Sequence, residues 1–211
     1  MESRSHCCEL LICEVYGELK SQGHHVHKRF PERLAFTLNN RVRRLLEPPD
    51  RLITKLGLKA THVVVDFGCG PGFYTITIAK AVARTIAVDV SSRMLEKTAS
   101  NAKKNHVTVE ALVSDGTAIQ LDDGIVDLIF LSHVFHEVAD RPRVLSEFLR
   151  IMKRSGRLAI VERTRGGLLA WAPGPPIIDQ AEIVQELERA GFRLTQTIPY
   201  GSNSIVIGKK P

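Results

Sequence analysis

The chain has 211 residues, 44% hydrophobic and 25% charged, with a formal net charge of +6. That is enough apolar material for one sizeable core, while no apolar run approaches the roughly 20 residues that cross a bilayer and Met1–Cys13 lacks a secretory-signal pattern. The basic excess is compatible with an anionic substrate or nucleic acid but requires neither, because the basic residues are dispersed and the densest cluster, Arg41, Arg43 and Arg44, reads as a solvated helix face.

Three of the four cysteines, Cys7, Cys8 and Cys13, crowd the start, and the fourth, Cys69, sits among glycines. No C-x-x-C spacing exists, so the expectation is free thiols in a reducing, cytoplasmic setting and no metal, despite His24, His25 and His27 nearby. Pro31–Leu46 reads as a helix ended by Pro48-Pro49, and Arg51–Leu56 as another. Val63–Val65 is a β-branched run that stops at Asp66 and a glycine loop, as a buried strand does. A helix is predicted over Gly72–Ala83, a second strand over Ile86–Val88 ending at Asp89, and a helix over Arg93–Lys103 behind the caps Ser91 and Ser92. Val107–Val113 and Val126–Leu131 read as strands. Arg143–Met152 reads as a helix stopped by a turn at Ser155-Gly156, and Leu158–Val161 as the fifth strand. Gly166–Pro176 is a Gly- and Pro-rich loop. Ala181–Ala190 is an amphipathic helix ending at Gly191. Strands near Leu194–Ile198 and Ser204–Ile207 close the chain, too close together for a crossover helix and therefore antiparallel. The alternation specifies an α/β fold: a doubly wound, seven-stranded, mostly parallel sheet with the last strand antiparallel and helices on both faces. Residues 1–58 form a helical extension to a cofactor-binding domain at 59–211.

The informative segment is Asp66-Phe67-Gly68-Cys69-Gly70-Pro71-Gly72, between a strand and a helix. Glycines permit a sharp turn and a close ligand approach, and a nucleotide-type cofactor lies at the carboxyl ends of such strands. In the dinucleotide fingerprint G-x-G-x-x-G the third glycine comes one place later than here, and Phe73 occupies the position needed for close helix packing. A carboxylate at Asp66 repels a pyrophosphate and attracts an ammonium group. The charge logic therefore favours a cofactor bearing an amino acid. Asp89, ending the second strand, suits a ribose diol; its bland alternative is a helix cap. Asp115, after the third strand, could accept from an adenine amino group or simply form an Asp-Gly turn.

Asp66–Gly72 resembles motif I of the class I S-adenosylmethionine-dependent methyltransferases. Ala87–Ser91 with Met94-Leu95 resembles motif II, Asp127–His133 the fourth-strand motif, and Arg150–Leu158 the R-x-L-K-P-G-G-x-L element, with Arg154 and Ser155 in place of Pro and Gly. Within the class the chain is most similar to the ubiquinone/menaquinone-biosynthesis group, which acts on small molecules. The resemblance implies a Rossmann-like methyltransferase fold with S-adenosylmethionine as cofactor. Asp66, Phe67 and the backbone of Gly68, Gly70 and Gly72 would face or border the methionine moiety, and Asp89 would hold the ribose. Val90 and Met94 would border the adenine, Asp115 and Gly116 would lie at its edge, and Ser132 near the methionine part. Methyl transfer by in-line displacement needs positioning and sometimes a base; His133 and His136, after the fourth strand, have the right pKa range for one. The expected partner is a small-molecule acceptor, with no membrane span. An RNA or protein methyltransferase and a non-catalytic S-adenosylmethionine-binding module remain alternatives.

Overall fold

The computed structural model describes residues 48–163, 177–201 and 203–211. The predicted helix at Pro31–Leu46, the N-terminal cysteines and histidines, the arginine cluster and the Gly166–Pro176 loop lie outside the described residues. The elements run α1 (Pro49–Leu56), β1 (Val63–Phe67), α2 (Thr75–Ala81), β2 (Arg84–Asp89), α3 (Ser92–Lys104), β3 (Glu110–Val113), β4 (Val126–Ser132), a 3₁₀ turn at Phe135–Glu137, α4 (Arg141–Ile151), β5 (Met152–Arg163), α5 (Gln180–Arg189), β6 (Arg193–Tyr200) and β7 (Asn203–Lys209). The seven strands form one sheet ordered β3-β2-β1-β4-β5-β7-β6. All neighbours pair parallel except β7, which runs antiparallel between β5 and β6. The chain winds outward in one direction from β1 and in the other from β4. The crevice beyond the carboxyl ends of β1 and β4 is therefore the switch point where such sheets bind ligands.

Alternation along β1 divides the core. Val65 and Phe67 join the cluster beneath α4 and α5, with Ile129, Leu131, Phe148 and Ile160. Val64 faces the other layer, with Leu52 and Leu56 of α1, Phe73, Ile78 and Phe130. α1 starts with Pro49 in its first turn, where a missing N–H costs nothing. The sequence reading placed α1 in the N-terminal extension; its two leucines are fully buried in the sheet domain's own core.

Several boundaries differ from expectation. β1 does not stop at Asp66 but carries it and Phe67 in register with β2 and β4. The first helix of the core begins at Thr75 rather than Gly72, because Gly68, Gly70 and Gly72 all adopt positive φ, which breaks the right-handed helix. β3 starts at Glu110, not Val107. α4 begins at Arg141, capped by the Asp140 carboxylate on the Arg143 N–H at 3.1 Å. The expected turn at Ser155-Gly156 becomes a bulge inside β5. Val126 pairs with Met152 but Leu128 with Arg157, so Lys153–Gly156 all stand opposite Asp127. Lys153 Nζ meets the Asp127 carboxylate there at 2.8 Å.

Arg150 fastens α4 to the segment that follows β3. Its guanidinium donates to the carbonyls of Ile119 (2.9 Å) and Leu121 (2.8 Å) and to the carboxylates of Asp123 and Glu147. Arg150→Ala removes the donor from two main-chain carbonyls at once. Hydrogen bonds involving a charged group contribute about 1.5–3 kcal/mol, so the urea midpoint should fall by the equivalent of about 2 kcal/mol with an unchanged slope. No helix among the described residues is long and apolar enough to cross a membrane.

Candidate active site

The loop after β1 is bonded to the sheet through its amides. Gly68 N and Cys69 N donate to Val88 O at 2.7 and 3.1 Å, and Gly70 N donates to Asp89 Oδ2 at 2.9 Å. The amides of Gly68 and Gly70 are thus bonded within the protein. At Gly68 a Cβ would come within 2.4–3.0 Å of the Val134 side chain. Position 68 therefore needs glycine for its left-handed φ of +69° and for the close approach of the loop that follows β4.

Asp66 is 3% exposed and accepts from Thr75 Oγ1, which sits at the start of α2. Asp89 uses one oxygen for Gly70 N and the other for Ser91 N, also at 2.9 Å. Ser91 in turn caps α3 by accepting from Met94 N. Asp89 thus braces both the loop and the helix start. Val90 is exposed beside it and Met94 buried. Asp115 is exposed and closes a local turn, accepting from Thr117 N and Oγ1 at 2.9 and 2.7 Å. These two bonds hold its carboxyl below the ordinary aspartate value. Gly116 is needed for packing: a Cβ there would strike the Phe67 ring at 2.6 Å. Phe67 itself is a correction. Its ring lies in the core, edge-on to Phe148 at 5.1 Å, because β1 alternation sends it away from the Asp66 face. It can border a cofactor only through its backbone.

Ser132 ends β4 on the same sheet face as Phe130. Its Oγ is buried and has no hydrogen-bond partner among the described residues. A buried orphan hydroxyl is costly. Together with the buried Asp66 carboxylate across the switch point, it fits a ligand end carrying hydrogen-bond donors, as the amino-acid part of S-adenosylmethionine does.

The chain then turns sharply. His133 has a left-handed φ of +56°, a conformation costing a non-glycine residue about 1 kcal/mol or more. This kink lays Val134 on the glycine loop and brings the 3₁₀ turn over the end of β5. There the fully buried Glu162 carboxylate meets His136 Nδ1 at 3.0 and 3.2 Å and the His136 amide at 3.3 Å. His133 Nδ1 lies 3.8 Å from the same carboxylate. Burial alone would push the His136 pKa down; the hydrogen bond and charge of Glu162, helped by Glu137, outweigh it, and the net shift is upward. Arg141 steadies the turn. It donates to Phe135 O at 3.2 Å, lies 4.8 Å over the Phe135 ring, and pairs with Glu182 and Glu186 of α5.

Comparison with known proteins points to methyltransferases. The family described as "Methyltransferase domain" matches residues 65–160. A S-adenosylmethionine-dependent methyltransferase from Aquifex aeolicus superposes with a TM-score of 0.78 at 28% identity, over 87% of this chain and 100% of that one. The chain is thus similar to the S-adenosylmethionine-dependent methyltransferases, with the methyltransferase domain matched over just under half of its length. It is 29% identical to the uncharacterized methyltransferase YcgJ of Bacillus subtilis over 62% of this chain and 49% of that protein. It is 23% identical to the ubiquinone/menaquinone biosynthesis C-methyltransferase UbiE of Campylobacter jejuni, over 75% and 83% respectively. The chain spans about a third to a half of the length of the first curated relatives it matches.

The predicted residues gather at one end of the sheet. Asp66, Gly68, Gly70, Asp89 and Ser132 stand at the ends of the adjacent strands β2, β1 and β4, and His133 and His136 lie one strand further, against β5. Glu162 lies near the carboxyl end of β5. Its contact with His136 depends on the β4–β5 register, which no local pattern encodes. The groove between α4 and α5, lined by Leu145, Ser146, Leu149, Glu186 and Arg189 among others, lies on the helical flank and contains none of these residues. Among the described residues no cluster of His, Cys, Asp or Glu is arranged to hold a metal ion, and Cys69 is a buried free thiol.

Proposed function

We propose that this methyltransferase transfers the methyl group of S-adenosylmethionine to a small-molecule acceptor, with His136 as general base. The observation that supports this most is the contact chain from the cofactor loop to the base: Gly68 packs on Val134, and two residues on His136 is held by buried Glu162. S-adenosylmethionine supplies an electrophilic methyl on a sulfonium. The protein's part is to place the acceptor in line with it, keep water out and take up a proton. With Nδ1 committed to the Glu162 carboxylate as donor, the lone pair of neutral His136 is on Nε2, turned away from Glu162. That is the tautomer a base needs. Asp66 and Ser132 would hold the amino-acid end of the cofactor, Asp89 the ribose, and Val90, Met94, Asp115 and Gly116 would border the base. Relatives such as UbiE support a small acceptor.

Calorimetry with S-adenosylhomocysteine and NAD tests the cofactor assignment: binding of the first in the micromolar range and none of the second is expected. Label transfer from methyl-labelled S-adenosylmethionine to a panel of phenols, quinols, amines and carboxylates tests the rest. Tight NAD binding without S-adenosylhomocysteine binding would sink the assignment. Labelling of bulk tRNA or of protein, with every small acceptor left unlabelled, would replace the acceptor class.

A further inference from the structure

We propose that Thr98 and Asn101 of α3 are positioning residues for the cofactor, acting through the carbonyls of the glycine loop; this rests on the S-adenosylmethionine reading above. A loop with three residues at positive φ, +69°, +53° and +86° at Gly68, Gly70 and Gly72, has little intrinsic reason to keep one shape. Its amides are tied to β2. Its outward carbonyls are tied to one helix: Thr98 Oγ1 donates to Gly70 O at 2.8 Å and Asn101 Nδ2 to Pro71 O at 2.8 Å. Pro71 has no N–H, so its carbonyl is its only main-chain handle.

Thr98 and Asn101 are three apart and share a face of α3. Both are poor helix formers where Ala or Leu would suit the helix better, and both spend their side-chain donors on the loop rather than on water. Thr98 is fully buried, and a Cβ at Gly72 would sit only 3.1–3.4 Å from its side chain, so helix and loop have no slack between them. α3 also begins at the Asp89–Ser91 cap. One rigid helix therefore fixes both halves of the pocket: the ribose acid at its N-terminus, and two turns later the loop that borders the methionine moiety. Thr98 and Asn101 set the spacing between them.

Thr98→Val is nearly isosteric and removes the donor from Gly70 O; Asn101→Leu does the same at Pro71 O. A neutral hydrogen bond contributes a net factor of about 2–12 in an equilibrium. Each variant should weaken S-adenosylhomocysteine binding by about three- to tenfold, and the pair by about 10–100-fold. Titrations are run on the full chain, well below the unfolding temperature of every variant. Thr98→Ser, which keeps the hydroxyl, should bind within twofold of the unaltered protein. If Thr98→Val and Asn101→Leu lower only the unfolding temperature and bind as tightly as the parent, or if Thr98→Ser loses as much as Thr98→Val, the positioning role is wrong. If the unaltered protein itself does not bind S-adenosylhomocysteine, the cofactor assignment fails instead, and the two failures are thereby told apart.

Discussion

Replacing His136 with alanine should lower methyl transfer by about 10²–10⁴-fold, the usual contribution of a positioned general base, while S-adenosylhomocysteine binding stays within a few-fold of its original value. The split follows from the geometry. His136 touches Glu162 and lies beyond Val134, whereas the groups proposed to hold the cofactor are Asp66, Asp89, Ser132 and the glycine loop. The pH profile carries a second, independent signature. A base works deprotonated, and the folded-state pKa of His136 is raised above the ordinary histidine value because Glu162 overcomes the burial cost. The rate should therefore climb with pH through a midpoint above that ordinary value. Glu162→Gln removes the charge but keeps an acceptor for Nδ1. Burial then dominates, the His136 pKa falls, and the rising limb should move to lower pH with a reduced plateau. Histidine NMR titration of the two proteins checks the shift without any acceptor. A limb that stays in place in Glu162→Gln would mean that another group carries the proton, and His133, 3.8 Å from the same carboxylate, would be the next to replace.

The elements carrying the cofactor were readable because each rests on local rules. The run Val63-Val64-Val65 before an acid and three glycines announces a buried strand feeding a ligand loop, and Ser91 after Asp89 is a helix start by capping chemistry alone. Phe67 was misassigned for want of one step. Extending β1 through Asp66 puts Phe67 on the Val65 face by simple alternation, and the core follows. Ser155-Gly156 reads as a turn by composition, and it does bend the chain, but β5 absorbs the bend as a bulge because the pairing on either side continues with β4. The His136–Glu162 contact joins residues 26 apart. It exists only once the bulge has fixed which β5 residue stands at the sheet's end, so no window of sequence could display it. Thr98 and Asn101 left a faint trace, two poor helix formers on one face, but only the loop's fold gives them something to hold.

Asp89→Ala should weaken S-adenosylhomocysteine binding by roughly 10–150-fold, the equivalent of about 1.5–3 kcal/mol for hydrogen bonds to a charged acceptor, with the domain still folded. Two effects converge on this one residue. The carboxylate would be the ribose acceptor, and it is also the partner of Gly70 N and Ser91 N. Its loss therefore frees the glycine loop and the first turn of α3 together. The partner variants separate the contributions. Ser91→Ala removes the cap on Met94 N, a loss of about 1 kcal/mol in stability, and should leave binding nearly intact. Asp89→Asn keeps one acceptor oxygen but turns an amide NH₂ towards either Gly70 N or Ser91 N, donor against donor, so it should bind almost as poorly as the alanine variant. If Asp89→Ala unfolds at a lower temperature yet binds S-adenosylhomocysteine with unchanged affinity, Asp89 is a brace for the loop and nothing more. The diol would then have to be held by groups further along α3 or after β3. Asn affinity close to that of the parent would point the same way, because a ribose acceptor that tolerates the loss of its charge was contributing little through it.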